Sequence, residues 1–74
     1  MQGSVTITLN GETRVFEPPA GGQLSVLGLL TQLELDARKV AVERNEEIVS
    51  KSRYGETFLA SGDSLEIVHF IGGG

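Results

Sequence analysis

Three consecutive glycines, Gly72, Gly73 and Gly74, follow directly on the apolar-rich run from Leu65 to Ile71. Glycine has no Cβ, so an extended arm of glycines can thread a narrow channel and offer its α-carboxylate to an enzyme without steric obstruction. A carboxylate is a poor acyl donor and must first be activated, for instance as an acyl-adenylate formed with ATP. The chain contains neither a G-x-x-x-x-G-K-[ST] loop nor a dinucleotide-binding glycine pattern, so the activating groups are expected in a partner. Gly74 is then the expected reactive end, and Gly72 and Gly73 the flexible arm that delivers it. The plain alternative is a solvated tail without a role.

Other side chains offer little chemistry. There is no cysteine, hence no thiolate nucleophile, disulfide or thiolate metal site. With His69 as the single histidine, a zinc site would need to be built almost wholly from carboxylates, and no metal site is expected. A lone histidine on a strand reads as a solvated or hydrogen-bonded side chain, because general-base work needs a positioned partner. Arg38, Lys39, Arg44, Lys51 and Arg53 are interleaved with Glu43, Glu46 and Glu47 and read as solvated charges on turns and strand ends, with partner docking as a secondary role. Asp63 reads as a turn residue after Gly62, and Glu46-Glu47 as part of a solvent-facing turn rather than an acid/base pair. No catalytic residue is expected in this chain.

At 74 residues the chain makes one small domain, which buries only roughly 60% of the surface its unfolded form exposes. Little remains for an enclosed active site. Its apolar runs are a few residues long, far short of the ~20 that a bilayer requires, and Met1 to Ser4 lacks the basic-then-apolar pattern of a signal peptide. A soluble, cytoplasmic protein is expected, with no membrane partner. The net charge of −4 argues against nucleic acid as the main partner.

The elements that must position the arm follow from periodicity. Val5 to Leu9 alternates apolar with hydroxyl side chains, as a strand with one buried face does. Asn10-Gly11 predicts a type I′ hairpin turn into a return strand over 13–17, which Pro18-Pro19 ends. Val26, Leu29, Leu30 and Leu33 then fall on one face of a helix, with Ser25 as N-cap and Leu24 and Leu29 as a hydrophobic staple. Gly28 within it suggests close approach to another backbone, and the helix is expected to fade between Leu33 and Ala37. Val40-Ala41-Val42 reads as a short buried strand, Glu43 to Glu47 as a polar turn, and Ile48-Val49 as a further short strand. Tyr54 fits core or rim, Phe58 and Leu59 are expected under the sheet, and Ser61-Gly62-Asp63 turns the chain into a last strand over 65–71.

Strand, strand, helix, strand, short strand, strand predicts an α+β fold, a β-grasp (ubiquitin-like) mixed sheet of four to five strands with one main helix packed across it. Residues 1–71 would form the domain and residues 72–74 the flexible C-terminal glycine tail.

The run from Val40 through Glu43-Arg44-Asn45-Glu46-Glu47 to Val49, then Arg53-Tyr54, then Gly62-Asp63-Ser64-Leu65-Glu66-Ile67-Val68 and the final Gly73-Gly74, resembles the ThiS family over nearly the whole chain. These are sulfur carriers of thiamine biosynthesis within the ubiquitin-like ThiS/MoaD group. The resemblance implies that Gly74 is adenylated, with ATP, by a ThiF-type adenylyltransferase. Sulfur from a cysteine desulfurase or another donor would then convert it to a thiocarboxylate, which a ThiG-type thiazole synthase uses to build the thiazole. On this reading the chain is a protein cosubstrate, not an enzyme, and binds no cofactor of its own. The small subunit of molybdopterin synthase also ends in Gly-Gly but typically carries prolines just before it, where His69-Phe70-Ile71 stands here. That subunit, and a ubiquitin-like modifier or binding module, are the alternative readings.

A docking surface should accompany the arm. In the last strand Leu65, Ile67 and His69 share one face, and Glu66, Val68 and Phe70 the other. With Leu65 and Ile67 against the helix, Val68 and Phe70 lie open beside the tail as a partner-docking patch. The competing reading buries them as ordinary core.

Overall fold

Two asparagine-led hairpins set the frame. In the computed structural model, which describes residues 3–70, strands β1 (Val5–Leu9) and β2 (Glu12–Phe16) pair antiparallel with Leu9 opposite Glu12. That register leaves Asn10 and Gly11 as a two-residue turn, and both take positive φ, 49° and 85°, as a type I′ turn requires. The second hairpin joins β3 (Val40–Arg44) to β4 (Glu47–Val49) through Asn45 and Glu46, with φ of 51° and 72°. The polar turn expected over Glu43 to Glu47 is therefore only two residues long. Glu43 faces solvent from within β3, which a strand with one open face accommodates without breaking.

Strand β5 (Ser64–His69) completes the sheet, whose order is β2-β1-β5-β3-β4. It runs parallel to β1, with Leu65 beside Leu9, and antiparallel to β3, with Ile67 beside Val42. The two hairpins thus lie on either side of it. The end of the predicted strand, Ile71, and the three glycines after it lie outside the described residues.

The helix α1 (Val26–Gln32) has under two turns, too few to hold by itself in water. Its N-terminal donors are taken up one by one. The Ser25 hydroxyl accepts from the Gly28 N–H at 2.9 Å, and the Thr57 and Tyr54 carbonyls accept from the Val26 and Leu27 N–H groups at 2.9 Å. The loop 54–59 therefore acts as part of the helix, adding an extended contact between Ser25 and Phe58. At the other end Glu34 takes φ 61° and the chain passes into a short 3-10 turn over Ala37–Lys39.

One face of the sheet and the helix share the core. Ile7, Leu9, Phe16, Val40, Val42 and Leu65 meet Val26, Leu29 and Leu30, closed at one side by Leu24, Tyr54 and Leu59. Leu24 and Leu29, the two staple positions, are both fully buried. Leu59 lies under the sheet as expected, but Phe58 is 48% exposed, because neighbouring residues of an extended segment face opposite ways. Among the described residues no helix is long and apolar enough to cross a membrane.

Gly28 has no neighbouring backbone against it. A Cβ at that position would meet only Ser25 Oγ at 3.4 Å and the Leu24 side chain at 3.5 Å, both ordinary contacts. Gly28→Ala is accordingly expected to raise stability by about 0.5–1 kcal/mol through helix propensity and a less mobile unfolded chain. Urea denaturation measures this, and a loss of stability would mean that the cap at Ser25 cannot accommodate the methyl group.

Candidate functional site

Gly72, Gly73 and Gly74 lie outside the described residues, and the platform that leads to them is β5. β5 is held on both flanks. The Phe70 N–H donates to the Lys39 carbonyl at 2.8 Å on the β3 side. On the other flank β1 stops at Leu9, and the side chain of Asn10 continues the pairing in its place. Its carbonyl oxygen accepts from the Ile67 N–H at 2.7 Å and its amide donates to the Ile67 carbonyl at 3.3 Å. The second turn asparagine does the same at the start of the strand, where Asn45 Oδ1 accepts from the Ser64 N–H at 2.9 Å.

This frame settles which way the side chains point. Leu65 is fully buried and Ile67 packs against the core, while Val68 is 58% exposed and Phe70 49% exposed. Register places Val68 beside Ala41 on the face away from the helix, in the same layer as Glu43, Glu66 and the exposed Ile48. His69 is exposed at the rim of a shallow apolar depression lined by Leu9, Leu33, Leu35, Val40 and Ile67.

Lys51 departs from the expectation of a freely solvated charge. Its ammonium donates to the Val40 carbonyl at 2.5 Å and the Ala37 carbonyl at 3.4 Å, and lies 5.1 Å from the centre of the Phe70 ring and 5.8 Å from that of Tyr54. The Tyr54 hydroxyl donates to the same Val40 carbonyl at 3.0 Å, and burial pushes its phenol up from the ordinary value. Tyr54 is therefore core with a satisfied polar end.

Asp63 is more than a turn residue. It is 8% exposed, and its carboxylate accepts from Arg44 Nε at 3.0 Å, Asn45 Nδ2 at 3.1 Å and the Ala60 N–H at 2.9 Å. Burial alone would raise this carboxyl, but the Ala60 N–H, the Asn45 amide and the Arg44 guanidinium together outweigh it and hold the group below its usual value. The nearby cleft lined by Arg44, Ser50, Arg53 and Thr57 gathers two arginines, yet both are engaged, Arg44 with Asp63 and Arg53 with Glu56. Among the described residues no group of three or more potential metal ligands comes together.

A mixed five-stranded sheet in the order β2-β1-β5-β3-β4, crossed by one helix and leading out through its central strand, defines a ubiquitin-like β-grasp protein. The ThiS family model matches residues 7–74, and the chain belongs to the ThiS family. It is 41% identical over 68 residues to the sulfur carrier protein ThiS of Bacillus subtilis, an alignment covering 92% of this chain and 98% of that one. It is also 52% identical over 68 residues to a thiazole synthase of Paramagnetospirillum magneticum, covering 92% of this chain but only 20% of that protein. The chain thus spans about a fifth of the length of that relative, as it does of a second thiazole synthase, from Magnetococcus marinus. Among solved structures, the thiamine biosynthesis protein ThiS of Geobacter metallireducens superposes with a TM-score of 0.74 at 31% identity, covering 95% of this chain and all of that one.

Because the folded Asp63 carboxyl gives up its proton more readily than the unfolded one, its network stabilises the fold above the unfolded pKa of about 4. That contribution fades as pH falls through the lower, folded value. Asp63→Asn should cost about 2 kcal/mol at neutral pH and flatten the loss of stability in acid. Denaturation curves at neutral pH and in acid test both, and equal pH dependence in the two proteins would remove Asp63 from this role.

Proposed function

We propose that this chain is a cytoplasmic sulfur carrier for thiazole formation in thiamine biosynthesis, acting as a protein cosubstrate with Gly74 as its reactive residue. The observation that carries this reading is the family match, which runs from the first strand through Gly74. In the proposed cycle the Gly74 carboxylate attacks the α-phosphorus of ATP on a ThiF-type adenylyltransferase, releasing pyrophosphate. The terminal sulfur of a persulfide, supplied from a cysteine desulfurase or another donor, then attacks the acyl carbon and displaces AMP, and a thiol reductant cleaves the resulting S–S bond to leave a thiocarboxylate. A ThiG-type thiazole synthase accepts that sulfur. The printed names of the two long relatives, both thiazole synthases, support this last assignment.

The chain's own contribution is presentation. Gly72 and Gly73 supply an arm narrow enough to enter a partner's channel. Val68 and Phe70, both about half exposed, supply apolar surface at its base for a partner to grip.

Intact mass after incubation with ATP, the cognate adenylyltransferase and a sulfur source should show one oxygen replaced by sulfur, with fragmentation placing the change at Gly74. An unchanged mass, with the enzyme active on a control carrier, would favour a modifier or plain binding module. Phe70→Asp is expected to weaken binding to the adenylyltransferase by at least ~2 kcal/mol, measured by titration calorimetry. Unaltered affinity would exclude Phe70 as an anchor.

A further inference from the structure

We infer that Lys51 is a positioning residue for partner docking, holding the Phe70 ring in place at the base of the proposed arm. The inference rests on the carrier reading above.

Lys51 sits two residues beyond β4, and nothing in its sequence neighbourhood marks it. Its ammonium nevertheless has a fixed position, because the Val40 and Ala37 carbonyls accept from it at 2.5 and 3.4 Å. The Val40 carbonyl lies where β3 begins, beyond the reach of the three-residue β4, and the Ala37 carbonyl lies in the 3-10 turn just before it, so the lysine joins the turn to the strand it leads into. A cation tied down in this way presents its charge to the face of Phe70 at 5.1 Å, within the range where the ring quadrupole attracts it. Tyr54, bound to the same Val40 carbonyl at 3.0 Å, backs the lysine with its ring at 5.8 Å.

Phe70 is thereby held twice. Its N–H is bonded to the Lys39 carbonyl at 2.8 Å, and its half-exposed ring lies against the Lys51 ammonium. An exposed phenylalanine at the end of a strand would otherwise sample several rotamers and lose that freedom on docking. Setting the ring beforehand lowers this cost and affects how well the partner captures the carrier. It leaves the reaction at Gly74 unaltered once captured.

The test compares Lys51→Met and Lys51→Arg with the wild type in pyrophosphate release by the cognate adenylyltransferase, varying the carrier concentration. Lys51→Met should raise the carrier KM about threefold, the scale of an exposed cation–π contact, with kcat unchanged, and Lys51→Arg should restore most of the loss. Proton NMR supplies a readout independent of the enzyme. The Lys51 ε-methylene protons should be displaced upfield by the ring current and return toward ordinary values in Phe70→Leu. Methylene shifts indifferent to Phe70, or a Lys51→Met KM equal to the wild-type KM where the wild type is a substrate, would overturn the inference alone. A wild type that is not adenylated at all would overturn the carrier reading, and the assignment of Lys51 to partner docking with it.

Discussion

Strand β5 is the piece on which the rest of the molecule depends. Among the described residues it is the only strand paired with both hairpins, with β1 on one flank and β3 on the other. Pairing on both sides leaves few of its backbone groups to solvent, and Leu65 anchors its start, fully buried in the core shared with the helix. The asparagines of the two turns reach across to it, Asn10 at Ile67 and Asn45 at Ser64, so each hairpin grips β5 at its tip as well as along its length. A chain leaving such a strand departs from one of the least mobile parts of the sheet. On the proposed carrier reading, this gives the arm a fixed base.

The charges follow the same axis. At the entry to β5, Asp63 draws in Arg44, Asn45 and the Ala60 N–H. At its exit, Lys51 takes up the Val40 carbonyl at the start of β3 and meets the ring of Phe70. Each polar group takes up backbone or side-chain valences that the sheet leaves unpaired where its strands stop. In so small a domain the core is thin, and such terminal contacts contribute a large share of its specificity.

Much of this was legible in the sequence wherever the cue was local. Asn10-Gly11 announced its turn through backbone preference alone, and the spacing of Val26, Leu29 and Leu30 announced the buried side of the helix. The exposure of Val68 and Phe70 followed from alternation once Leu65 was placed inside. The glycines and the Gly62 to Val68 motif pointed to the family. What stayed hidden depended on distant partners or on conformations unusual for the residue. Glu46 adopts φ 72° without the glycine that would signal a tight turn, so the second hairpin read as a longer polar loop. Asp63 is defined by Arg44 and Asn45, and Lys51 by Val40 and Phe70, none of them neighbours in sequence. Gly28 misled for the opposite reason, since a helical glycine suggests crowding and the space around it is open.

The order of the strands also governs how the domain can come into being. The asparagine of the first turn and the residue it binds in β5 stand 57 positions apart, so the central pairing closes nearly the whole chain into one loop. Before β5 arrives, each hairpin can form but has no partner across the gap, and a lone hairpin is marginal in water. Folding is thus expected to be slow for the chain's size and to wait for the last strand to be synthesised. On the ribosome, the arm that follows β5 emerges just after the strand that completes its platform. On the proposed carrier reading, the segment a partner would grip and the event that makes the domain whole lie within the same few residues, so the carrier is not offered half made.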